Sequence, residues 1–218
     1  DIEETVGEGE GEGEGEAPAP AESSPVLLRC SFSENTAEGN GGGMYNGHAD
    51  ASVRECTFEA NYAANFGGGM VNTDASPEVS DSTFTANIAT RDGGGLANYS
   101  SSPLVSDCVF TLNEAPIGAG ANTWSNSSPT FERCAFIDNV ANSQGGGANN
   151  YDATATYVNC VFAGNSVIGE GLGGAGMCND EAGTSIVHCS FAANVGEQPG
   201  GGIANPAAAP AIRNSILW

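Results

Sequence analysis

Apolar residues recur along the chain at a fixed spacing of 26 residues rather than at helical spacing. The most regular row is aromatic, and only its last step is longer, by a three-residue insertion. It consists of Phe32, Phe58, Phe84, Phe110, Phe136, Phe162 and Phe191. A second apolar row lies five residues earlier and starts with Leu27 and Val53. Self-similarity at a fixed period predicts a repeat architecture, in which each unit buries its apolar face against its neighbours.

Polar and small residues repeat in the same register. An Asn follows every Phe by three residues: Asn35, Asn61, Asn87, Asn113, Asn139, Asn165 and Asn194. A Cys precedes all but one Phe by two residues: Cys30, Cys56, Cys108, Cys134, Cys160 and Cys189, with Ser82 in the remaining repeat. A glycine cluster begins nine residues after most Phe, and an apolar residue and a second Asn usually close it. In the fourth repeat Trp124 is expected at this second Asn position.

The repeat predicts strands, not helices. Glycine triplets break helices, and propeller blades need about 40 residues. Short strands of β-branched and aromatic residues with Gly and Asn corners are typical of a parallel β-helix. We therefore expect an all-β, single-stranded parallel β-helix over residues 25–218, with about seven 26-residue coils and a partial eighth.

Stacking gives each row a physical role, because equivalent positions in adjacent coils lie about 4.8 Å apart. Phe over Phe builds an aromatic stack, and Asn over Asn builds an amide ladder in which each side chain donates to the next. Asn also tolerates the left-handed backbone of a corner. The Cys row is expected to be a ladder of buried free thiols, because parallel side-chain vectors do not suit a disulfide. Cys178 lies outside the row.

Residues 1–24 have a different composition from the repeats. Five consecutive Gly-Glu pairs and an Ala-Pro-Ala-Pro segment predict an extended acidic tail or linker. Ile2 and Val6 are its only large apolar side chains and are the expected anchors if the tail docks on a neighbour.

The charge balance removes several function classes. The chain has 27 acidic residues against 5 basic ones, and its net charge is −22. Nucleic acids and anionic membranes need a basic face, so neither is an expected partner. No stretch approaches about eighteen apolar residues, which excludes insertion of a membrane helix. This composition suits an extracellular or cell-surface protein.

The repeat units resemble a known family. The segments CSFSENTAEGNGGGMYN and CTFEANYAANFGGGMVN are similar to the right-handed parallel β-helix repeats of secreted bacterial proteins. They are also similar to the GGA[ILV]/FxxN repeats of polymorphic outer-membrane proteins. The resemblance implies a right-handed solenoid. It does not settle function, because the family includes adhesins, surface-layer components and polysaccharide-active enzymes.

Catalytic and metal chemistry receive little support from the sequence. Asp81 and Asp107 fall on neighbouring coils, and a hydrolase can use such a pair of carboxylates. The loops are short, however, and build no walls for a groove, so we expect a protein that is not an enzyme. No cofactor is required. Ca²⁺ is a candidate bound ion, and the acidic residues Glu170, Asp180 and Glu181 would supply its oxygen ligands.

The leading hypothesis is structural. The first and last coils expose strand edges, and head-to-tail stacking of identical copies would build an extracellular filament or surface layer. The expected contact residues are Ile2, Val6, Leu27, Ile216, Leu217 and Trp218. The alternative is an adhesin or glycan-binding module that uses the aromatic residues Tyr45, Tyr99, Trp124 and Tyr151 after the glycine corners. A polysaccharide lyase or hydrolase is the third hypothesis.

Overall fold

A computed structural model describes residues 24–217 of the chain. Within this range the regular structure consists of thirty short strands and no helix. The strands form four parallel sheets that run along the solenoid, and every complete coil contributes one strand to each sheet.

Sheets 1 and 2 each contain eight strands. Sheet 1 contains β1 (Val26–Leu28), β5 (Ser52–Arg54), β9 (Glu78–Ser80), β13 (Leu104–Ser106), β17 (Thr130–Glu132), β21 (Thr156–Val158), β25 (Ser185–Val187) and β29 (Ala211–Arg213). Sheet 2 contains β2 (Ser31–Ser33), β6 (Thr57–Glu59), β10 (Thr83–Thr85), β14 (Val109–Thr111), β18 (Ala135–Ile137), β22 (Val161–Ala163), β26 (Ser190–Ala192) and β30 (Ile216–Leu217).

Sheets 3 and 4 each contain seven strands. Sheet 3 contains β3 (Thr36–Ala37), β7 (Tyr62–Ala63), β11 (Ile88–Ala89), β15 (Glu114–Ile117), β19 (Val140–Gln144), β23 (Ser166–Val167) and β27 (Val195–Gly196). Sheet 4 contains β4 (Met44–Gly47), β8 (Met70–Thr73), β12 (Leu96–Tyr99), β16 (Ala121–Trp124), β20 (Ala148–Tyr151), β24 (Met177–Asp180) and β28 (Ile203–Ala204).

Seven coils are therefore complete, and β29 and β30 form a partial eighth. The prediction of an all-β, right-handed parallel solenoid is confirmed. Neighbouring strands pair in register at the repeat spacing, as in Phe58 with Phe84 and Phe84 with Phe110. The inserted residues near Gly173 lengthen coil six without shifting the pairing of Phe162 with Phe191.

The Phe row forms the centre of the core. Successive rings stack with centroids 4.6–4.8 Å apart and interplanar angles of 10° or less. All of them are fully buried except Phe32, in the first described coil, which is half-buried. The spacing of the rings equals the spacing of the strands, so backbone pairing and aromatic packing reinforce each other.

The first Asn row forms a continuous amide ladder. Each side-chain Nδ2 donates to Oδ1 of the Asn in the next coil over 2.9–3.0 Å. From the second coil onward, Nδ2 also donates to a Phe carbonyl in the preceding coil, as Asn87 does to Phe58 over 3.0 Å. The amides of coils two to six are buried and well satisfied, and each such bond contributes about 1 kcal/mol to stability.

The ladder Asn residues do not take the left-handed backbone that was expected of them, so that expectation is wrong. The residue before each Asn takes it instead, for example Glu34 and Leu112, both with φ of 56°. The chain turns one residue earlier than the pattern suggested. The Asn side chain is thereby left pointing into the solenoid, where it meets its ladder partners.

A second expectation, for coil four, is also wrong: Trp124 does not occupy the second Asn position. Thr123 pairs with Asn98 on one side and with Asn150 on the other, whereas Trp124 pairs with Tyr99 and Tyr151. Coil four reaches its glycine corner one residue early, and the register shifts between strands β15 and β19. The missing residue is recovered after Trp124, where two consecutive residues have positive φ.

The Cys row is a ladder of free thiols. Cys56, Cys108, Cys134, Cys160 and Cys189 are buried, and Cys30 in the first coil is half-buried. Each thiol of coils four to seven donates to carbonyl oxygens, as Cys134 does to Val105 over 3.5 Å and Glu132 over 3.4 Å. Cys178 is also free and buried, and it pairs with Asn149 on sheet 4.

Candidate functional site

The outer face of sheet 4 carries a cluster of aromatic side chains. Residues along each strand alternate between the core and the outer face, so every strand of this sheet presents two outward positions. Tyr45 and Val71 occupy the first of these positions in coils one and two. Thr73, Tyr99 and Trp124 occupy the second position in coils two to four.

Trp124 connects coils that are not adjacent. Its ring centroid lies 5.5 Å from that of Tyr99 in coil three and 5.3 Å from that of Phe66 in coil two. The indole therefore leans back across coil three. This contact depends on the register of coil four, because a Trp at the inward Asn position would point into the core.

These rings border a cavity of about 310 Å³, here called the aromatic cavity, and its lining consists of Asn40, Tyr45, Phe66, Val71, Thr73, Tyr99 and Trp124. Gly47 helps to form it. A Cβ at that position would lie 2.6 Å from Cε1 of Tyr45, so only glycine lets the tyrosine ring lie back over its own strand. The cavity opens on the side of the solenoid.

The polar groups of the aromatic cavity are uncharged. The lining provides the carboxamide of Asn40, the hydroxyl of Thr73, the phenols of Tyr45 and Tyr99, and the indole N–H of Trp124. The Asn40 Oδ1 atom is shielded from solvent and accepts no hydrogen bond within residues 24–217. The lining thus combines apolar ring faces with several neutral donors and acceptors.

Two charged residues lie near the aromatic cavity without lining it. The guanidinium carbon of Arg91 lies 4.9 Å from the centroid of the Phe66 ring. Asp92 pairs with Phe66 on one side and with Ile117 on the other, and it is half-buried. Burial raises the pKa of Asp92 to about 6, while the charge of Arg91 acts in the opposite direction.

The structure brings together three of the four aromatic residues proposed from the sequence. Tyr45, Tyr99 and Trp124 line the aromatic cavity, whereas Tyr151 is the next residue in the row and stays outside it. Sequence reasoning missed Phe66 and Asn40. Both stand eight residues after a ladder Phe, directly before the glycines, and this shared position was the available signal.

One member of the carboxylate pair considered for hydrolysis, Asp107, is held in an ion pair that does not suit it to the role of general acid. Arg133 donates to both oxygens of Asp107, at 2.7 Å each, and this contact holds the pKa of Asp107 below its usual range. A general acid needs a raised pKa. Arg29 pairs with Glu55 in the same way, at 2.7 Å, so Asp81 lies between two ion-paired carboxylates in its row.

The proposed contact residues lie at or beyond the ends of the described solenoid. Leu27 is half-buried in the first coil, and Ile216 and Leu217 in the partial eighth are 53% and 51% exposed. Ile2 and Val6 in the tail, as well as Trp218, lie outside the described residues.

Metal and membrane features are absent from the described part of the chain. Between residues 24 and 217, no three His, Cys, Asp or Glu side chains converge as metal ligands would, and Glu170, Asp180 and Glu181 form no such group. Ca²⁺ binding stays a prediction. The same range contains no helix with the length and apolar character needed to cross a bilayer.

Comparison with known proteins identifies the family. A family profile described as right handed beta helix region matches residues 22–195, which is most of the chain. No curated protein matches the sequence. The similarity to polymorphic outer-membrane protein repeats stays a prediction. Because the profile covers well over half of the sequence and the four-sheet solenoid agrees with it, the chain belongs to the right-handed β-helix family.

Proposed function

We propose that this β-helix is a non-enzymatic surface repeat protein that binds a glycan through the aromatic cavity. The observation that carries the proposal is the cavity itself, in which the Trp124 ring, tilted against the rings of Phe66 and Tyr99, lines about 310 Å³ of space together with Tyr45. Location outside the cell or on its surface is part of the same proposal.

The chemistry of the lining matches a sugar. A pyranose ring has apolar C–H faces and an equatorial belt of hydroxyls, so it needs flat apolar surfaces next to neutral hydrogen-bonding groups. Trp and Tyr supply both, because their rings are apolar and their edges carry a donor. The volume lies at the small end of ligand-binding pockets, which suits one sugar unit of a longer chain.

Charge argues against the main competing ligand. Single-stranded nucleic acids also stack on aromatic platforms, but their binding requires a positively charged groove along the backbone. The chain has a net charge of −22, and the lining contains no basic residue. Repulsion between like charges would therefore oppose a polyanion.

The test combines a glycan array with two matched variants. Trp124→Ala removes the ring that joins Phe66 to Tyr99, and we expect affinity for the array hits to fall at least about tenfold. Tyr151→Ala removes the neighbouring ring in the same row, outside the cavity, and should leave affinity unchanged. Equal losses in both variants, or no array hit for the unmodified protein, would contradict the proposal.

End-to-end association is the second candidate function. It is favoured by the apolar surface at the two ends of the described solenoid, where Val26 is 74% exposed and Ile216 and Leu217 are also exposed. The strands of coil one are paired on one side only, since β1 to β4 each end their sheet. A further coil would complete these edges, and we propose that a second copy supplies it.

Electron microscopy tests this second candidate. Filaments with an axial repeat of about 35–40 Å, as expected for seven to eight coils, would support it. Leu27→Glu places a charge over the open end of the core and should abolish them, while Leu104→Glu on sheet 1 in mid-solenoid should not. A variant without residues 1–24 tests the contribution of the tail. Uniform monomers at all salt concentrations would rule the filament out.

A further inference from the structure

The aromatic cavity offers ring faces to a ligand and has no charged group in its lining. The rings of Tyr45, Phe66, Tyr99 and Trp124 border it, and none of the lining residues is acidic or basic. Tyr45 and Tyr99 are 54% and 40% exposed, so a ligand can reach them from solvent. The face of an aromatic ring carries the negative part of its quadrupole and attracts a cation within about 6 Å of the centroid. Four rings at one cavity therefore favour a positively charged group.

One of these rings already holds a cation that belongs to the protein. The guanidinium carbon of Arg91 lies 4.9 Å from the centroid of Phe66, which is within the range of a cation–π contact. Three other arginines in residues 24–217 pair with carboxylates, whereas Arg91 forms no ion pair there and lies against this ring. The Phe66 ring is thus a cation-binding surface in the folded protein. The charge of Arg91 also opposes the approach of a second cation, so it competes with a cationic ligand.

Carboxylates next to the lining also favour a cation. Glu38 and Asp74 each stand within two residues of the lining along the chain, and both are exposed. Asp92 pairs with Phe66 across neighbouring coils. These three acidic residues outweigh the single positive charge of Arg91. The chain as a whole carries −22, so the field at its surface attracts cations and repels anions.

From these observations we propose that the aromatic cavity selects an amino sugar, whose protonated amine lies against the ring faces, over the corresponding neutral sugar. The proposal rests on the proposed glycan-binding function and names the class of sugar. A pyranose with a free amine combines an apolar C–H face, which packs on Trp and Tyr, with a cation for the π faces. Acetylation of the amine removes the charge and leaves the rest of the sugar in place, so it isolates the contribution of the cation.

The experiment measures binding of small glycosides by NMR titration of the full chain. The probes are the methyl glycosides of glucosamine, N-acetylglucosamine and glucose, which differ only in the group at C2, and tetramethylammonium, which is a cation without a sugar. A pH of about 6.5 keeps the amine protonated, since a comparable α-amino group has a pKa of about 8. We expect the glucosamine glycoside to bind about tenfold more tightly than either neutral glycoside. Array spots with oligomers of the same three sugars repeat the comparison on longer chains.

Three variants assign the preference to the ring faces. Phe66→Leu keeps an apolar side chain but removes a π face, so the tenfold preference for the amine should fall to about twofold or less. Arg91→Gln removes the competing cation, and it should strengthen binding of the amine about twofold while leaving the neutral glycosides unchanged. Tyr151→Leu removes a ring outside the cavity and should leave the preference unchanged. Thermal melts establish that each variant is folded.

The outcomes separate the two proposals. If the three glycosides bind equally, or a neutral one binds more tightly, glycan binding stands and the preference for an amino sugar is wrong. If tetramethylammonium binds as tightly as the glucosamine glycoside, the sugar ring contributes nothing and the assignment of an amino sugar is overturned. If the unmodified protein binds none of the array glycans or glycosides, both proposals are wrong. An amine preference that Phe66→Leu reduces and Arg91→Gln increases supports both.

Discussion

Asn98 Nδ2 and Thr123 Oγ1 occupy equivalent positions in neighbouring coils, and both are buried without a hydrogen-bond partner among residues 24–217. They mark the single break in the second Asn ladder. Before the break, Asn72 donates to Asn98 over 2.9 Å. After it, Asn150 donates to Asn179 over 2.9 Å. A threonine side chain is too short to continue the ladder.

Restoring an amide at this position should stabilise the fold. In Thr123→Asn, the new Oδ1 can accept from Asn98 and the new Nδ2 can donate to Asn150. Each satisfied buried bond contributes about 1 kcal/mol, so we expect the free energy of unfolding to rise by about 1–2 kcal/mol in urea titrations. Thr123→Val is the control, because it removes one unsatisfied atom but leaves Asn98 unpaired. If Thr123→Asn is no more stable than Thr123→Val, the ladder interpretation is wrong.

The Phe stack should show a strong dependence on position. Phe110 is fully buried and has ring neighbours on both sides, at 4.7 and 4.8 Å. Phe110→Ala should therefore lower the free energy of unfolding by about 3–5 kcal/mol. Phe32 is half-buried and has one stacked neighbour, at 4.8 Å, so Phe32→Ala should cost clearly less. If chemical denaturation shows that Phe32→Ala and Phe110→Ala lower the free energy of unfolding equally, the Phe32 end of the stack is covered in solution.

The ion pair between Arg133 and Asp107 predicts a pH dependence of stability. Arg133 lowers the pKa of Asp107, and a depressed carboxyl pKa contributes stability above its unfolded value of about 3.9. That contribution disappears as the pH falls through the folded-state pKa. The melting temperature of Arg133→Gln should be slightly below that of the unmodified protein at pH 7, and the gap should close near pH 2. A gap that persists at pH 2 would assign the effect to packing of the arginine stem.

Asp92 predicts the opposite pH dependence. Burial raises its pKa to about 6, so its contribution to stability is fully present below the unfolded pKa of about 3.9 and is lost as the pH rises through 6. Asp92→Asn should therefore stabilise the protein at pH 8 by about 2 kcal/mol, allowing for partial exposure, and should have little effect at pH 3. Asp81→Asn, at an exposed carboxyl, is the control in the same urea titrations. If Asp92→Asn stabilises the protein as much at pH 3 as at pH 8, the raised pKa of Asp92 is not the cause.

The fold and the candidate site differed in how far the sequence could predict them. In a solenoid, one position recurs at each coil, so the rows of Phe32 and Asn35 directly specify which residues stack. The aromatic cavity depends instead on a local irregularity. A one-residue shortening of coil four turns Trp124 outward, and its ring then reaches Phe66 two coils away. Neither the shift nor the lean of a side chain across a coil follows from a 26-residue period.

Because most thiols of the Cys row are buried, we expect them to react slowly with alkylating reagents in the folded protein. The interaction with the neighbouring Cys134 thiol is the largest cause, and burial a smaller one, of a rise in the pKa of Cys160 to about 12. Burial raises the pKa of Cys178 to about 12. Alkylation requires the thiolate and access to it. In the folded protein at pH 8, iodoacetamide should therefore modify the half-buried Cys30 first and leave Cys160 and Cys178 unmodified over the same time.

Peptide mass spectrometry after timed alkylation measures this order directly. In denaturant all seven thiols should react at similar rates, which controls for intrinsic differences in the flanking sequence. Since Cys160 can react only after the stacked coils open, its rate in the native protein reports the free energy of that opening. Rapid native modification of Cys160 at a rate close to that of Cys30 would mean that the middle coils open independently of the ends.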